Sequence, residues 1–163
     1  MKATKSGKIK IQADTEVPEL AHSEEEYKFF LKNVELYALG VDSIEAKLER
    51  AAYAQAHSEQ VSKIEKKIEN TFALSELTKD HFDIAATFVF TMQLEGETPF
   101  LRIAVKYGAH FHWKNKRPKK DHIERFAEGE ARLIFWPYFR QAIADLTSRM
   151  YIRPVTIPLT LSL

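Results

Sequence analysis

Apolar and polar residues alternate through the middle of the chain with the two-residue period of a β-strand. Between Phe82 and Leu94 every even-numbered residue is apolar, and β-branched and aromatic residues are frequent. A polar segment containing Gly96 follows, after which the alternation resumes at Phe100 and continues to Trp113. Two alternating segments joined by a short glycine-containing turn predict an antiparallel β-hairpin.

The same period appears earlier, where residues 33–48 alternate and predict one long strand with a bend or bulge at Gly40. Residues 50–68, by contrast, are rich in alanine, glutamate, lysine and glutamine, so the local pattern favours a helix there. The spacing of Ile68 and Phe72 also fits a helix. The conformation of this region stays open at this point.

Helical patterns also precede the first strand. Ser23 and Glu26 have the spacing of a capping box, and the apolar residues behind them predict a short helix over 23–32. We expect residues 1–22 to form a flexible N-terminal arm. Residues 23–163 are then expected to form a single domain.

Two further helices are predicted after the hairpin. Asp121 is expected to cap the first, which is short. In the second, Pro137 fits the first turn, where its missing N–H needs no partner. This helix is closed by Pro154, and its apolar face consists of Phe139, Ile143, Leu146 and Met150. Residues 155–163 alternate again and are expected to be extended at the edge of the sheet.

The composition is that of a one-domain globular protein, with 163 residues of which 45% are hydrophobic and 29% are charged. The 24 basic and 23 acidic side chains nearly cancel, which argues against a surface built as a whole for nucleic acid or anionic lipid. Cysteine is absent, which excludes disulfides, thiolate metal sites and a cysteine nucleophile. Without a long apolar run or a recognisable signal peptide, we expect a cytoplasmic protein.

Few residues have a spacing that is typical of catalysis. The five glycines are scattered, which excludes a phosphate-binding loop and a dinucleotide fingerprint. His110 and His112 lie two residues apart on one face of a strand and could be two metal ligands, but the sequence names no third. We therefore predict no enzyme, no cofactor and no metal, and keep a metalloprotein centred on these histidines as an alternative.

The main charged feature is a basic segment, residues 114–120, with five cationic side chains that could contact phosphates. Trp113 adjoins this segment, but no aromatic residue lies within it to stack on bases. A solvated loop is the commoner explanation for such a cluster. A nucleic-acid-associated protein is therefore kept as the second hypothesis.

Aromatic residues are frequent, with eleven Phe, six Tyr and two Trp. Many of them cluster around the end of the last strand, the basic segment and the start of the final helix. They either fill a core between sheet and helix or line an apolar groove that is partly open. The groove hypothesis assigns ligand binding to Phe111, Trp113, Phe126, Phe135, Trp136, Tyr138, Phe139 and Ile143.

Two motifs resemble those of the SecB chaperone family. The stretch Phe135-Trp-Pro-Tyr-Phe-Arg, which continues to Arg149 and is followed by Pro154, resembles the family's first long helix. The polar turn before Phe100 and Leu101 resembles the family's hairpin turn and the Phe-Leu pair after it. The ordered combination of the two is more specific than either motif alone.

This resemblance covers residues 64–161 and, more weakly, 33–48. It implies an α+β fold, in which helices pack on one face of a four-stranded antiparallel sheet. Residues 62–72 would then be a strand, and residues 50–61 the crossover that leads into it. The resemblance also implies a homotetramer, built as a dimer of dimers, with an oligomer interface formed by Ile143, Leu146 and Met150.

The function that the resemblance implies is ATP-independent holding of unfolded or aggregation-prone polypeptides, in support of protein export and transport or of an antitoxin. The sequence departs from export SecB proteins in two ways. It ends at Leu163, without the second long helix and tail that engage the export ATPase, and Arg102 and Ile103 replace the acidic residues of the family. Docking to that ATPase is therefore not expected, and the shortened end resembles the solitary SecB-like chaperones found with toxin–antitoxin pairs.

Overall fold

A computed structural model describes residues 17–58 and 63–158 of the protein, with side chains from residue 23 onwards. The described elements, in chain order, are α1 (Val17–Asn33), β1 (Val34–Leu48), α2 (Arg50–Ser58), β2 (Ile64–Leu77), β3 (His81–Leu94), β4 (Leu101–Trp113), α3 (Lys120–Glu128) and α4 (Glu130–Arg149). The predicted α+β class is confirmed.

The four strands form one antiparallel sheet in the order β1-β4-β3-β2. β3 and β4 are the predicted hairpin, paired from His81 opposite His112 to Met92 opposite Leu101. Gly96 lies in the turn with a φ of 79°, a left-handed conformation that glycine adopts without strain. The hairpin and the four-stranded antiparallel sheet are therefore confirmed.

One face of the sheet carries the core. The even-numbered residues of β3, from Phe82 to Leu94, are all buried, because their side chains point to this face. All four described helices contribute buried residues to the same core, α1 with Tyr27 and Phe30 and α2 with Ala56. The odd-numbered residues of β3 point to the opposite face, which we call the outer face, and are partly exposed.

β1 lies at one edge of the sheet, and some of its apolar residues on the core side remain exposed. Ile44, for example, is paired with the buried Val105 but is itself 47% exposed. Leu36 and Val41 lie on the same side and are 40% and 51% exposed. These three residues are called the β1 strip, and they are uncovered because α3 and α4 pack on β2, β3 and β4.

β1 is one long strand, as predicted, but its irregularities flank Gly40 instead of falling on it. The register shifts lie between Leu36 and Ala38 and between Val41 and Ser43, while Gly40 itself is paired with β4. Each shift reverses which face the following side chains occupy. The two shifts together keep the apolar residues of β1 on the core side.

Residues 50–72 divide between a helix and a strand. The helix favoured by the local pattern is present as α2 but ends at Ser58, and the strand implied by the SecB resemblance begins at Ile64. Ile68 and Phe72, whose spacing fits a helix, pair with residues of β3. Pairing with a neighbouring strand thus overrides local helix propensity in the second half of this region.

The predicted starts of three helices are wrong. α1 begins at Val17, so Ser23 lies inside the helix and does not cap it. Of the expected N-terminal arm, residues 1–22, the first sixteen lie outside the described residues, and residues 17–22 belong to α1. Asp121 lies in the first turn of α3, whose N-cap is Lys119. α4 begins at Glu130, which places Pro137 inside the helix.

Proline is tolerated inside α4 because of where it lies. Pro137 cannot donate to the carbonyl four residues earlier, that of Leu133. Both residues are exposed, Leu133 to 70%, so water can reach the carbonyl. The helix therefore continues through Pro137 to Arg149.

The C-terminal segment is hydrogen-bonded to α4 and does not join the sheet as a strand. None of its described residues, 150–158, belongs to a strand, so the expected edge segment over 155–163 is wrong for the part that is described. The hydroxyl of Thr147 accepts the backbone N–H of Val155 at 3.0 Å. Arg140 Nε donates to the carbonyl of Ile157 at 2.9 Å, and Trp136 Nε1 donates to that of Pro158 at 3.1 Å.

Candidate functional site

The aromatic seam between α4 and the sheet is closed. Of the predicted groove residues, six are at most 4% exposed in the protomer: Phe111, Phe126, Phe135, Trp136, Phe139 and Ile143. Phe135, Phe139 and Ile143 recur every fourth residue, so one face of α4 directs all three onto the sheet. Phe139 stacks on Phe88 of β3 with the ring centroids 4.7 Å apart. These residues form core, and the expectation that they line an open groove is corrected.

The other two groove residues have separate surroundings. Tyr138 is 51% exposed and lies on the solvent side of α4. Trp113 is partly buried at the end of β4, where it borders a cavity. The predicted oligomer interface needs a similar correction, because Ile143 is fully buried inside the protomer. Leu146 and Met150 are partly buried against the same core.

The cavity beside Trp113, which we call the Trp113 pocket, has a volume of about 300 Å³. It lies between α1, the end of β4 and the segment that leads to α3. Most of its exposed lining is apolar, and its apolar lining residues are Phe29, Phe30, Trp113 and Pro118. Its other lining residues are Glu25, Glu26, Asn33, Lys116, Arg117, Lys119 and His122.

The floor of the Trp113 pocket is the outer end of the aromatic core. Phe111 and Phe82 stack with centroids 5.1 Å apart, and Phe82 stacks in turn on Trp113 at 6.1 Å. Phe30 packs against Phe82 from α1 at 6.2 Å. Phe29, the neighbour of Phe30 on the helix, is 50% exposed. The pocket therefore presents aromatic surface to solvent on a rigid, packed base.

The segment after β4 is fixed to the end of α1. The backbone N–H of Lys114 donates to the carbonyl of Asn33 at 2.9 Å, and Asn115 Nδ2 donates to Asn33 Oδ1 at 2.8 Å. Asn115 has a φ of 72°, a left-handed conformation that asparagine adopts more readily than most residues. These contacts hold the wall of the Trp113 pocket in place without a ligand.

Much of the charge of the basic segment is paired. Lys114 pairs with Glu35, Lys119 pairs with Glu26 at 2.5 Å, and Lys120 pairs with Glu124 at 3.1 Å. Three of its five cations thus have carboxylate partners, which weakens the nucleic-acid hypothesis. The other two, Lys116 and Arg117, line the Trp113 pocket together with acidic residues, so the rim has mixed charge.

α1 forms the outer wall of the pocket, and Tyr27 anchors it. The Tyr27 hydroxyl donates to Glu130 Oε2 at 2.5 Å, and burial together with this bond raises the pKa of Tyr27. The guanidinium of Arg125 lies 4.0 Å from the centre of the Tyr27 ring and donates to Glu24 Oε1 at 2.6 Å. The bond from Arg125 lowers the pKa of Glu24.

Sequence reasoning missed the contribution of α1 to the site. Phe29 and Phe30 are adjacent in the sequence, and adjacent residues of a helix point in directions about 100° apart. Since Tyr27 and Phe30 define the buried side of the helix, Phe29 falls on its exposed side. This pattern could have singled out Phe29 as an aromatic residue without a place in the core.

A second polar cluster lies on the outer face of the sheet. The ligand atoms of His81, Asp83 and His110 lie within 4.8 Å of one another. The sequence pointed to His110 but not to its neighbours on β3, because strand pairing alone brings them together.

Among the described helices, none is both long and apolar enough to cross a membrane.

Comparison with known proteins identifies the fold. No protein-family model and no curated protein sequence matches the chain. A SecB-like chaperone of Mycobacterium tuberculosis, solved in complex with a ChAD peptide from the HigA1 antitoxin, matches 84% of this chain and 98% of its own, with a TM-score of 0.67 and 13% identity. A protein of unknown function from Streptococcus agalactiae matches 77% of this chain and 96% of its own, with a TM-score of 0.40 and 14% identity.

The fold is that of a SecB-like chaperone. The resemblance that two sequence motifs carried is thereby confirmed at the level of the fold. The match to the mycobacterial protein rests on structure, since few residues are shared between the two sequences.

Proposed function

We propose that the protein is an ATP-independent holding chaperone that binds unfolded or aggregation-prone polypeptides. The observation that carries this proposal is the Trp113 pocket, a preformed apolar cavity of about 300 Å³ on a SecB-like fold. A folded protein buries most of its large apolar side chains. A pocket that binds such a side chain therefore favours polypeptides that have not yet folded. The sequence contains no glycine-rich phosphate loop, which supports a mechanism without nucleotide.

The Trp113 pocket is expected to bind one client side chain weakly. Fully burying one aromatic side chain of a client is worth about 1.5–3 kcal/mol. Ordering an unfolded client removes much of this gain. Because the rim carries both acidic and basic side chains, client residues of either charge can flank the bound apolar side chain. Weak, tolerant binding of this kind suits a chaperone that holds many parts of one chain.

We further propose that several copies act together as a homotetramer, a dimer of dimers. The support for assembly is the β1 strip, whose three apolar residues are 40–51% exposed along an edge strand. Edge strands with exposed apolar residues commonly pair with another chain. Several pockets on one particle would bind separate segments of a long client, and the combined affinity would exceed that of any one pocket.

Two kinds of client suit this activity, a precursor awaiting export and an antitoxin awaiting its toxin. We favour the antitoxin, because the mycobacterial SecB-like chaperone was solved with an antitoxin peptide. Both clients would be met in the cytoplasm, where we place the protein.

An aggregation assay with two matched variants tests the proposal. Phe29 and Tyr138 are aromatic, lie on helices and are 50% and 51% exposed, but only Phe29 lines the Trp113 pocket. We expect Phe29→Ala to weaken the suppression of client aggregation about tenfold, since a loss of about 1.4 kcal/mol of client-binding free energy corresponds to that factor. Tyr138→Ala should suppress aggregation as the wild type does, with and without ATP.

The comparison of the two variants decides where clients bind. Circular dichroism and thermal melting establish that both variants fold. If Phe29→Ala holds clients as well as the wild type, the Trp113 pocket is not the binding site. If the wild-type protein fails to suppress the aggregation of any unfolded client, the holding function itself is refuted.

A further inference from the structure

Three imidazoles and a carboxylate gather on the outer face of the sheet, away from the Trp113 pocket. His81 lies directly opposite His112, and Asp83 lies directly opposite His110, on the paired strands β3 and β4. Directly opposed residues of antiparallel strands place their side chains on the same face. The pairing thus supplies what the sequence lacked, further ligands beside the two histidines of β4.

The ligand atoms of His81, Asp83 and His110 all lie within 4.8 Å of one another. Ligand atoms on one tetrahedral zinc ion are about 3.3 Å apart, as zinc–nitrogen bonds of about 2.0–2.1 Å require. The most distant pair of these atoms would need to approach by no more than about 1.5 Å, which small rotations of these partly exposed side chains can provide. The His81 and His110 rings are already in contact, with centroids 4.3 Å apart.

Further polar groups hold these ligands, as is usual around bound zinc. Nδ1 of His81 lies 2.8 Å from the hydroxyl of Thr78 and 3.3 Å from a carboxylate oxygen of Asp80. With Nδ1 engaged in this way, Nε2 of the same ring is the nitrogen left for a metal. Nδ1 of His110 lies 2.5 Å from Asp83 Oδ1, so these two groups are held together before any ion binds.

The cluster is accessible to an ion from solvent. The side chains of His81, His110 and Asp83 are 22%, 30% and 31% exposed. The ring of His112 lies 4.8 Å from that of His110 and is a further donor within reach. Tyr37 packs edge-on against both rings and covers one side of the cluster.

We propose that His81, Asp83 and His110 form a binding site for Zn²⁺, with the fourth coordination position taken by His112 or by water. Two imidazoles and a carboxylate are a donor set that zinc commonly takes in proteins. The bound ion links β3 to β4 at the end of the sheet. It therefore stabilises the folded protein by an amount that grows with the logarithm of the free Zn²⁺ concentration once that exceeds the dissociation constant.

Calorimetric titration of the full chain, stripped of metal with a chelator and dialysed, tests the site. We expect one Zn²⁺ to bind per chain, and His81→Gln and His110→Gln each to weaken binding at least about tenfold. His57→Gln is the matched control, because His57 is an exposed histidine on α2 that lies outside the cluster. Its affinity for Zn²⁺ should equal that of the wild type.

Thermal melting gives a second readout that does not depend on calorimetry. Zn²⁺ should raise the melting temperature of the wild type and of His57→Gln, and raise it less in His110→Gln and Asp83→Asn. Circular dichroism establishes that the variants fold. If Zn²⁺ does not bind, or binds the wild type and the two cluster histidine variants equally, the ion is adventitious only and the proposal is overturned.

Discussion

Replacing Tyr27 by phenylalanine tests whether one hydrogen bond anchors α1, the helix that forms the outer wall of the Trp113 pocket. Tyr27 is 2% exposed, and its hydroxyl donates to Glu130 Oε2 at 2.5 Å. The substitution removes only the hydroxyl, because the phenylalanine ring keeps the contacts of Tyr27 with Phe30 and His122. Any loss of stability therefore reports on the hydrogen bond.

The magnitude follows from the character of the acceptor. A hydrogen bond to a charged group contributes about 1.5–3 kcal/mol to stability. Glu130 is partly exposed, so its carboxylate regains water when the hydroxyl is lost, and we take the lower end, about 1.5 kcal/mol. For a chain of this length the melting temperature should fall by about 3–6 °C.

Urea unfolding measures this difference directly. Tyr151→Phe is the matched control, because Tyr151 is 91% exposed, and its unfolding free energy should stay within about 0.5 kcal/mol of the wild type. If Tyr27→Phe is as stable as Tyr151→Phe, the hydrogen bond to Glu130 does not anchor α1. The pocket wall would then rest on the bonds from Lys114 and Asn115 to Asn33.

Three further outcomes follow from burial and exposure. The buried Tyr107 hydroxyl has no hydrogen-bond partner among the described residues, so Tyr107→Phe should raise the unfolding free energy by about 1 kcal/mol in urea. Burial also raises the pKa of Tyr107 to about 12 from about 10, so the folded state holds the proton more tightly. Wild-type stability should then fall as the pH rises from about 10 to 12, and fall less in Tyr107→Phe; equal slopes would contradict this. In light scattering, we expect the wild type to be a tetramer. Val41→Asp in the β1 strip should dissociate it, whereas the control Leu133→Asp, at an exposed residue of α4, should leave it intact. A monomeric wild type would refute the proposed assembly.

The strands could be predicted where side-chain alternation and burial coincide. In β3 every second residue is buried, so the sequence alone indicates both the strand and its core face. β2 is different, because the spacing of Ile68 and Phe72 is compatible with a helix. Their pairing with Phe90 and Ala86 decides the conformation, and that pairing is a long-range contact that local propensity does not contain.

The candidate site was predictable only in part, because it depends on contacts between distant segments. Trp113 was identified from the aromatic cluster. The wall opposite it depends on Asn33 meeting Asn115 and on Tyr27 meeting Glu130, pairs separated by 82 and 103 residues. A pattern read from one segment of the sequence contains no information on contacts with a distant segment.

The energy of the core favours the proposed Trp113 pocket over the predicted groove. Fully burying a large apolar side chain is worth about 1.5–3 kcal/mol. Opening the seam would expose all six buried groove residues to water and would cost about 9–18 kcal/mol, which is comparable to the whole stability of a typical domain, about 5–15 kcal/mol. Trp113 and Phe29 lie at the edge of that core and present aromatic surface that is already open, so a client that binds there leaves the core intact.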